Sequence, residues 1–455
     1  MTTARRPLRR ILVANRGEIA VRIIRASREV GIEAIQAYSE ADRDSLAVHL
    51  ADGSICIGPP PSSQSYLKGD LMIDAARAAN ADAIHPGYGF LSENAAFAQA
   101  CEDANIAFIG PPARAIALMG DKTAARRMAA RAGVPITPGS LGTVSDARAA
   151  CEAAALIGYP VLLKAAAGGG GRGMRVVRNN EELAARFTDA AREAQGAFGK
   201  GSLYVEQFLE RVRHVEIQVL CDGRTMLHLG ERDCSVQRRN QKLVEESPSP
   251  ALDGAVRARM CDAALRVCRE VDYRSAGTIE FILDAASGAF YFMEMNTRVQ
   301  VEHPVTEVVT GVDIVKAQIR VAQGELLPLT QDSVRLNGHA IECRINAEDS
   351  ARDFAPSPGQ VRGLRFPGGP GIRIDSHLFE GYRIPPFYDS LIAKLIAWGR
   401  DRDEAIARMR RALSEMRVEG VDTTLPFHIR LFDDARFRAG DIHTRFVEDE
   451  LMGVA

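Results

Sequence analysis

Met293-Glu-Met-Asn-Thr-Arg-Val-Gln-Val-Glu302 alternates without a break. In an extended chain, successive side chains point to opposite faces. Glu294, Asn296, Arg298, Gln300 and Glu302 then share one face, while Met293, Met295, Thr297, Val299 and Val301 share the other. A solvated surface strand tolerates such a row, but seldom mixes two acids, an Arg and two amides with no Lys or Ser. At ~3.3 Å per residue the row is too long for one small site. It predicts two adjacent ones: a metal at the Glu294/Asn296 end and substrate chemistry at the Arg298/Glu302 end.

Upstream, Thr278 to Leu283 and Ala289 to Met293 read as two strands joined by the turn-like Asp284-Ala-Ala-Ser-Gly288. Pairing Leu283 with Ala289 places Glu280 opposite Phe292 and diagonal to Glu294. Diagonal neighbours lie roughly 7–8 Å apart, close enough for two carboxylates to reach one ion. Two Glu and an Asn are hard oxygen ligands, which suit Mg²⁺ or Mn²⁺ rather than Zn²⁺. The alternative is a charged hairpin face with no ligand.

The 455 residues are too many for one core and predict about three domains. With 57 basic and 59 acidic residues the charge nearly cancels, which argues against nucleic-acid and membrane-surface roles. No segment approaches membrane-spanning length, and the apolar run Ile11–Ala14 is too short for a signal sequence. Eight cysteines form no CxxC pair, and Cys261 and Cys268, seven apart on an apparent helix, read as core residues. This fits a reducing cytoplasm.

Strands alternate with helices near the N-terminus: Ile11–Asn15, a helix from about Glu18 to Val30, and Ala34–Tyr38; then Ala83–His85, a helix near Glu93–Asp103, and Ala107–Ile109. That order predicts a parallel α/β domain over residues 1–120. Residues 136–208 read as a small lobe within a second domain, 121–325, and residues 326–455 as a third. In the lobe, Lys164-Ala-Ala-Ala-Gly-Gly-Gly-Gly-Arg-Gly173 matches GxGxxG literally. A strand-like Met174-Arg-Val-Val-Arg178 follows instead of a helix, and no Lys-Ser/Thr closes the loop, so neither a dinucleotide fold nor a P-loop fits. Four consecutive glycines flanked by Lys164, Arg172 and Arg175 instead suggest a hairpin flap whose backbone amides close over phosphate. In Arg213–Leu220, His214, Glu216 and Gln218 share a face; in His339–Asn346, Glu342 and Arg344 do. Glu231 to Lys242 reads as a polar, cationic, solvated loop, a helix carries Val312, Val315, Ile319 and Ala322 on one face, and a final helix spans about Asp403–Met416.

Taken in order, ILVANRGEIAVRIIRA (11–26), AIHPGYGFLSEN (83–94), LMGDK (118–122), GGGGRGMRVV (168–177), RHVEIQVL (213–220), ERDCSVQRRNQK (231–242), EMNTRVQVEHPVTE (294–307) and ECRINAED (342–349) closely resemble the biotin carboxylase subunit or domain of biotin-dependent carboxylases, in the ATP-grasp superfamily. The resemblance spans essentially the whole chain. It implies an N-terminal pre-ATP-grasp α/β domain, an ATP-grasp fold whose mobile lid is the 136–208 lobe, and a C-terminal α+β domain. By motif matching, Lys122, Lys164, Gly170 and Gly171 contact ATP phosphates; Glu206, Gln207, Phe208 and Leu209 line the adenine; His214, Gln237 and Asn240 lie near the nucleotide. Glu280, Glu294 and Asn296 hold Mg²⁺ or Mn²⁺, two ions in all, with Glu280 and Glu294 also counted in the ATP site. Lys242, Arg298, Gln300 and the Val301 backbone bind bicarbonate. Glu302 is the general base, and Arg344, with Tyr88 nearby, binds biotin and steadies its enolate.

The implied activity is carboxylation of biotin through carboxyphosphate, giving carboxybiotin, ADP and phosphate, as the first half-reaction of an acetyl-CoA or other acyl-CoA carboxylase. The rivals are a pyruvate or urea-type carboxylase component, another ATP-grasp ligase such as a carbamoyl-phosphate or purine-pathway enzyme, and a nucleotide-binding regulatory or scaffold protein without chemistry. With no Met-Lys-Met motif in the chain, the biotin is expected on a separate carboxyl carrier protein, with carboxyltransferase subunits as further partners. Arg25, Glu29 and Arg373 match the family's homodimer surface, although Pro370 replaces a frequent Phe. Three other departures are Asn240 for a frequent His, Gln207 for Lys, and Ala167 for Gly.

Overall fold

The computed structural model describes residues 7–140, 142–166, 174–199, 201–285 and 287–452. Five strands, β1 (Arg10–Val13), β2 (Glu33–Tyr38), β3 (Gly53–Cys56), β4 (Ala83–His85) and β5 (Ala107–Phe108), form a parallel sheet in the order β3-β2-β1-β4-β5. The helix Gly17–Glu29 packs Ile19, Ile23 and Ile24 on this sheet, against Ile11 and Val13. The β3 strand and the helix Gly69–Ala78 that follows it extend the predicted pair of units; both fall in a stretch whose apolar period is interrupted by Pro and Ser.

The lobe contains β6 (Val161–Ala165), β7 (Met174–Val177) and β8 (Leu203–Gln207) in the order β7-β6-β8, with helices Ala147–Ile157 and Asn180–Phe198 packed on its own small core. Ala167, Gly170, Gly171 and Arg172 of the glycine loop lie outside the described residues.

The rest is organised by one eight-stranded antiparallel sheet. Its strands are β9 (Arg213–Cys221), β10 (Met226–Arg238), β11 (Gln241–Ser247), β12 (Ser275–Asp284), β13 (Ala289–Asn296) and β14 (His339–Asn346), followed by Ile372–Ser376 and Leu391–Gly399. The spatial order is β13-β12-β9-β10-β11-β14, then Leu391–Gly399 and Ile372–Ser376. Helix Gly254–Glu270 seals one face with Met260, Ala264 and Val267 against Val215, Ile217 and Val219. Helix His303–Thr310 lies on the other, packing Val305 and Val309 against Ala340 and Ile396.

Four expectations need correction. Glu231–Lys242 is not a solvated loop but the buried end of β10, a tight turn at Arg239-Asn240 and the start of β11. Arg232, Asp233 and Lys242 meet opposite charges on other strands of the sheet, Glu231 meets Arg257 on the helix Gly254–Glu270, and Arg238 and Arg239 reach Asp353, Arg239 at the exposed turn. The row from Met293 leaves the sheet after Asn296, and residues 297–302 run irregularly into the helix at His303. The hairpin register is shifted by one: Asp284 pairs with Ala289, and a bulge at Met293 sets Glu280 directly opposite Glu294. The bulge lets Phe292 and Met295, three apart, both enter the core while Glu294 joins the Glu280 face. Finally, the helix Arg402–Glu415 is not the last, since Leu425–Asp433 and Ala435–Ala439 complete the C-terminal core.

Candidate active site

On the face of the large sheet under helix His303–Thr310, β9, β10, β11 and β12 converge their ionisable side chains. Lys242 on β11 stands at the centre. Its Nζ donates to Glu216 Oε2 at 2.6 Å, Glu280 Oε1 at 2.9 Å and Glu302 Oε1 at 2.6 Å. Burial pushes the ammonium's pKa down, but three carboxylates more than offset this and leave it well above the ordinary lysine value. Arg232 on β10, fully buried, binds Glu216 Oε1 at 2.6 Å and spends its other N–H groups on Gln218, Thr278 and Thr306.

Glu302 is fully buried at the start of its helix, where the positive end of the helix dipole favours an anion. Its second oxygen accepts from Arg344 Nη2 at 2.9 Å. Burial raises its pKa; Lys242, Arg344 and Arg232 outweigh that and hold it far below the carboxylate range. Glu280 is likewise depressed, burial being overcome by Lys242 and His214, whose Nε2 is 3.2 Å from Glu280 Oε2. Arg344, on β14, is fixed by Glu245 Oε1 at 2.6 Å as well as by Glu302.

Arg298 remains in the same cluster although it is no longer on a strand. Its guanidinium binds Asn296 Oδ1 at 3.0 Å, Gln300 Oε1 at 3.2 Å and Glu93 Oε2 at 2.9 Å. Gln300 in turn donates to Glu280 at 2.9 Å. The two ends of the predicted row are therefore linked: Gln300 and Lys242 tie Glu280 to Arg298 and Glu302.

At the other end, Lys122 Nζ lies 3.4 Å from Glu294, and Lys164 Nζ binds Glu206 at 2.8 Å, with Arg126 on the same carboxylate. Glu206 is thus turned toward these cations. The backbone N–H groups of Gln207 and Phe208 are bonded to Pro138 and Pro160, and Leu209 is half-buried just beyond. His214 and Gln237 are buried on β9 and β10. Asn240 is at the exposed tip of the β10–β11 hairpin with φ +64°, beside Arg239 at +49°; a two-residue turn of this kind favours Asn.

Two carboxylates directly opposite on adjacent strands repel one another, so Glu280 and Glu294 make a pair that a cation stabilises. With Asn296 Oδ1 they are hard oxygen donors of the kind a divalent ion takes; here Glu280 also meets Lys242, Gln300 and His214, and Asn296 meets Arg298, contacts an ion would have to share or displace. Among the described residues His214, Glu216 and Glu280 also bring ligand atoms within 4.8 Å of one another, but Arg232 and Lys242 already occupy Glu216.

Tyr88 borders a cleft of about 360 Å³ with Asn15, Arg16, Phe90, Phe387 and Tyr388. Asn15 Nδ2 holds the turn before it by donating to Pro86 O and Tyr88 O. Gly87, at φ +63°, packs where a Cβ would come 2.9 Å from that amide, so only glycine fits. Val301 presents its carbonyl to Lys394 Nζ at 2.9 Å.

Arg232, Glu245 and Glu93 were not singled out in the sequence. Glu93 lies in a quoted motif, and the alternation of β9 would have marked Glu216 for a buried cation; Glu245 carries no local signal. Of the dimer residues, Arg25 and Glu29 are exposed on helix Gly17–Glu29, Glu29 paired with Lys316, whereas Arg373 is bound to Glu307 and Asp375.

Three family models match in tandem: Biotin carboxylase, N-terminal domain, over residues 7–116; Carbamoyl-phosphate synthase L chain, ATP binding domain, over 121–330; and Biotin carboxylase C-terminal domain, over 342–449. The chain is 58% identical to a biotin carboxylase of Nostoc sp., covering 97% of this chain and 98% of that one. It is 52% identical to a pyruvate carboxylase subunit of Methanothermobacter thermautotrophicus, covering 98% and 90%. Its structure superposes with TM-score 0.93, at 50% identity and 98% coverage of both chains, on the biotin carboxylase domain dimer of Hydrogenobacter thermophilus 2-oxoglutarate carboxylase, a complex with MgADP, ADP and bicarbonate.

Proposed function

The chain belongs to the biotin carboxylase family, ATP-grasp carbon–nitrogen ligases that carboxylate biotin with bicarbonate and ATP, and we propose which of its residues perform each step. The observation that carries the assignment is Lys242 bridging Glu280 and Glu302, with Arg298 and Arg344 on either side.

Lys122 and Lys164 face the ATP phosphates, and Glu206 to Leu209, His214, Gln237 and Asn240 frame the nucleotide. Glu280, Glu294 and Asn296 would hold Mg²⁺ or Mn²⁺. A bound ion supplies neutralisation of phosphate charge. Bicarbonate, a weak nucleophile, binds against Lys242, the planar fork of Arg298, Gln300 and the Val301 backbone. Its arrival draws the Lys242 N–H that serves Glu302 to the new oxyanion. Glu302, now less compensated, gains proton affinity at the moment a proton must be accepted. The deprotonated bicarbonate oxygen attacks the γ-phosphorus, and ADP leaves with the β–γ bridging oxygen. The carboxyphosphate formed breaks into CO₂ and phosphate; the phosphate takes the ureido N–H proton of biotin, and the enolate nitrogen attacks CO₂. Arg344, held by Glu245, faces the developing enolate charge, with Tyr88 at the edge of the biotin cleft.

The biotin is carried by a separate carboxyl carrier protein, and a carboxyltransferase passes the carboxyl group on. That relatives of nearly this length are a biotin carboxylase and one subunit of a pyruvate carboxylase supports the reading. We assign the final acceptor to acetyl-CoA or another acyl-CoA, the cell compartment to the cytoplasm and the assembly to a homodimer. The eight cysteines are all unpaired, and no helix among the described residues is long and apolar enough to cross a membrane. The test is ADP release from the purified chain with ATP, Mg²⁺ and bicarbonate, with and without a biotinylated carrier domain. Carrier-dependent release accompanied by a negative streptavidin blot of the chain itself is expected. Covalent biotin on this chain would overturn the separate carrier.

A further inference from the structure

Lys394 is fully buried on the strand Leu391–Gly399, directly opposite Arg344 on one neighbouring strand and Asp375 on the other. Nothing in the mechanism above uses it, and an ammonium placed there needs partners to offset its lost hydration. Its Nζ donates to the Val301 carbonyl at 2.9 Å and lies 3.1 Å from Glu18 Oε1 and 3.8 Å from Asp375 Oδ2. Glu18 is buried at the start of helix Gly17–Glu29, and the same Oε1 accepts the Tyr88 hydroxyl. Its other oxygen has no hydrogen-bond partner among the described residues. One ammonium thus joins three parts of the chain: the first helix of the N-terminal domain, the irregular segment between β13 and Glu302, and the C-terminal strands.

Two substrates are addressed by what it touches. Tyr88 borders the cleft assigned to biotin, and the Val301 peptide precedes Glu302 in the segment assigned to bicarbonate. A phenol donating to a carboxylate that also receives an ammonium has its rotation fixed, so the ring edge facing the cleft is set by Glu18. Burial pushes the Tyr88 hydroxyl well above the ordinary tyrosine value, with Glu18 adding to it, so the hydroxyl stays a donor. For Lys394, burial lowers its pKa, but Glu18, Glu342 and Asp375 outweigh that and keep it charged.

We propose that Lys394 is a positioning residue that, through Glu18, fixes Tyr88 at the biotin cleft and, through the Val301 carbonyl, fixes the bicarbonate segment. The inference rests on the assignment of Tyr88 to the biotin side.

Glu18→Gln keeps the shape and an acceptor for Tyr88 while removing the charge that Lys394 holds. The experiment is a double-mutant cycle of Glu18→Gln and Tyr88→Phe, with Lys394→Met as a fifth protein. It reads kcat/KM for biotin, KM for ATP and for bicarbonate, and Tm. Each single variant is expected to lower kcat/KM for biotin about tenfold, and the double variant to fall no further than the worse single, because both act through one contact. KM for ATP stays at the wild-type value. Lys394→Met raises KM for bicarbonate severalfold as well, which Glu18→Gln does not; a folded Lys394→Met protein with normal biotin and bicarbonate kinetics overturns the inference, and if Lys394→Met does not fold, Lys394→Gln is read in its place. Losses that multiply to about a hundredfold in the double variant, or a Glu18→Gln protein with normal biotin kinetics, overturn the inference alone. A Tyr88→Phe protein with unchanged biotin kinetics overturns the placement of Tyr88 and the inference with it.

Discussion

Replacing Lys242 with Met removes a charge and keeps most of the volume, and the structure gives the size of the effect. The ammonium serves three carboxylates, with side-chain exposures of 0%, 6% and 0%, so solvent screening is minor. Breaking a buried ion pair from one side costs about 3–5 kcal/mol. Each carboxylate here keeps at least one other partner: Arg232 on Glu216, Arg344 on Glu302, and the Gln300 amide and His214 on Glu280. That places the loss near the lower bound, about 3 kcal/mol at pH 8. The pH dependence has a definite sign. In the wild type Glu280 and Glu302 are depressed, so the stability they contribute is present above the unfolded carboxylate pKa of ~4.3 and is lost as pH falls through their lower folded values. Without Lys242 their proton affinity rises and the variant takes up a proton on folding, so the gap between the two proteins narrows from pH 8 toward pH 5. Urea unfolding followed by the single tryptophan, Trp398, reports on the same sheet and measures the gap at each pH. A gap that is pH-independent, or below about 1 kcal/mol at pH 8, would refute the claim that Lys242 neutralises this cluster. Bicarbonate-dependent ADP release should fall roughly a thousandfold in the same variant.

Glu302→Gln should retain nucleotide and metal binding while bicarbonate-dependent ADP release drops roughly 10²-fold or more, whereas Glu294→Gln should chiefly raise the Mg²⁺ requirement; near-normal turnover in Glu302→Gln removes it as the base. Burial pushes His85 and His377 down to about 3 and His428 down to about 4, so their stability is present above pH 6.5 and is lost as pH falls from there. His428→Gln, which can still donate to the Arg344 carbonyl, should flatten the fall between pH 6.5 and 5 by about 1 kcal/mol per pH unit, measured by the tryptophan signal; an unchanged slope contradicts it. Light scattering at micromolar concentration should give twice the chain mass of 49.4 kDa, and Glu29→Arg should shift it toward one; a wild-type chain at 49.4 kDa counts against the homodimer.

Local signals carried the reading wherever chemistry and periodicity coincide within a few residues. The first β–helix–β unit, the lobe strands and the alternating acids of β12 and β13 are of that kind. What failed were long-range properties. Arg232 looks like a surface residue until Glu216, Gln218, Thr278 and Thr306, from three other segments, are brought to it. The same blindness turned the buried end of β10 into a solvated loop. The bulge at Met293 is set by the spacing of Phe292 and Met295 in a core built by helices and strands on either side in sequence. Glu18 and Lys394 lie 376 positions apart in the chain, and no window of sequence pairs them.

The pairing of β11 with β14 fuses residues 213–296 and 339–399 into one plate. Four consecutive backbone registers, Val244–Cys343 through Ser247–Ala340, cross what the family models treat as a boundary between units. Opening a hinge there would shear a ladder of hydrogen bonds rather than rotate about a loop. The separations between Glu280, Lys242 and Arg344, all on strands of this plate, are therefore as stiff as the pleat itself. Any movement needed to admit ATP and expel ADP would have to come from parts of the chain outside this plate.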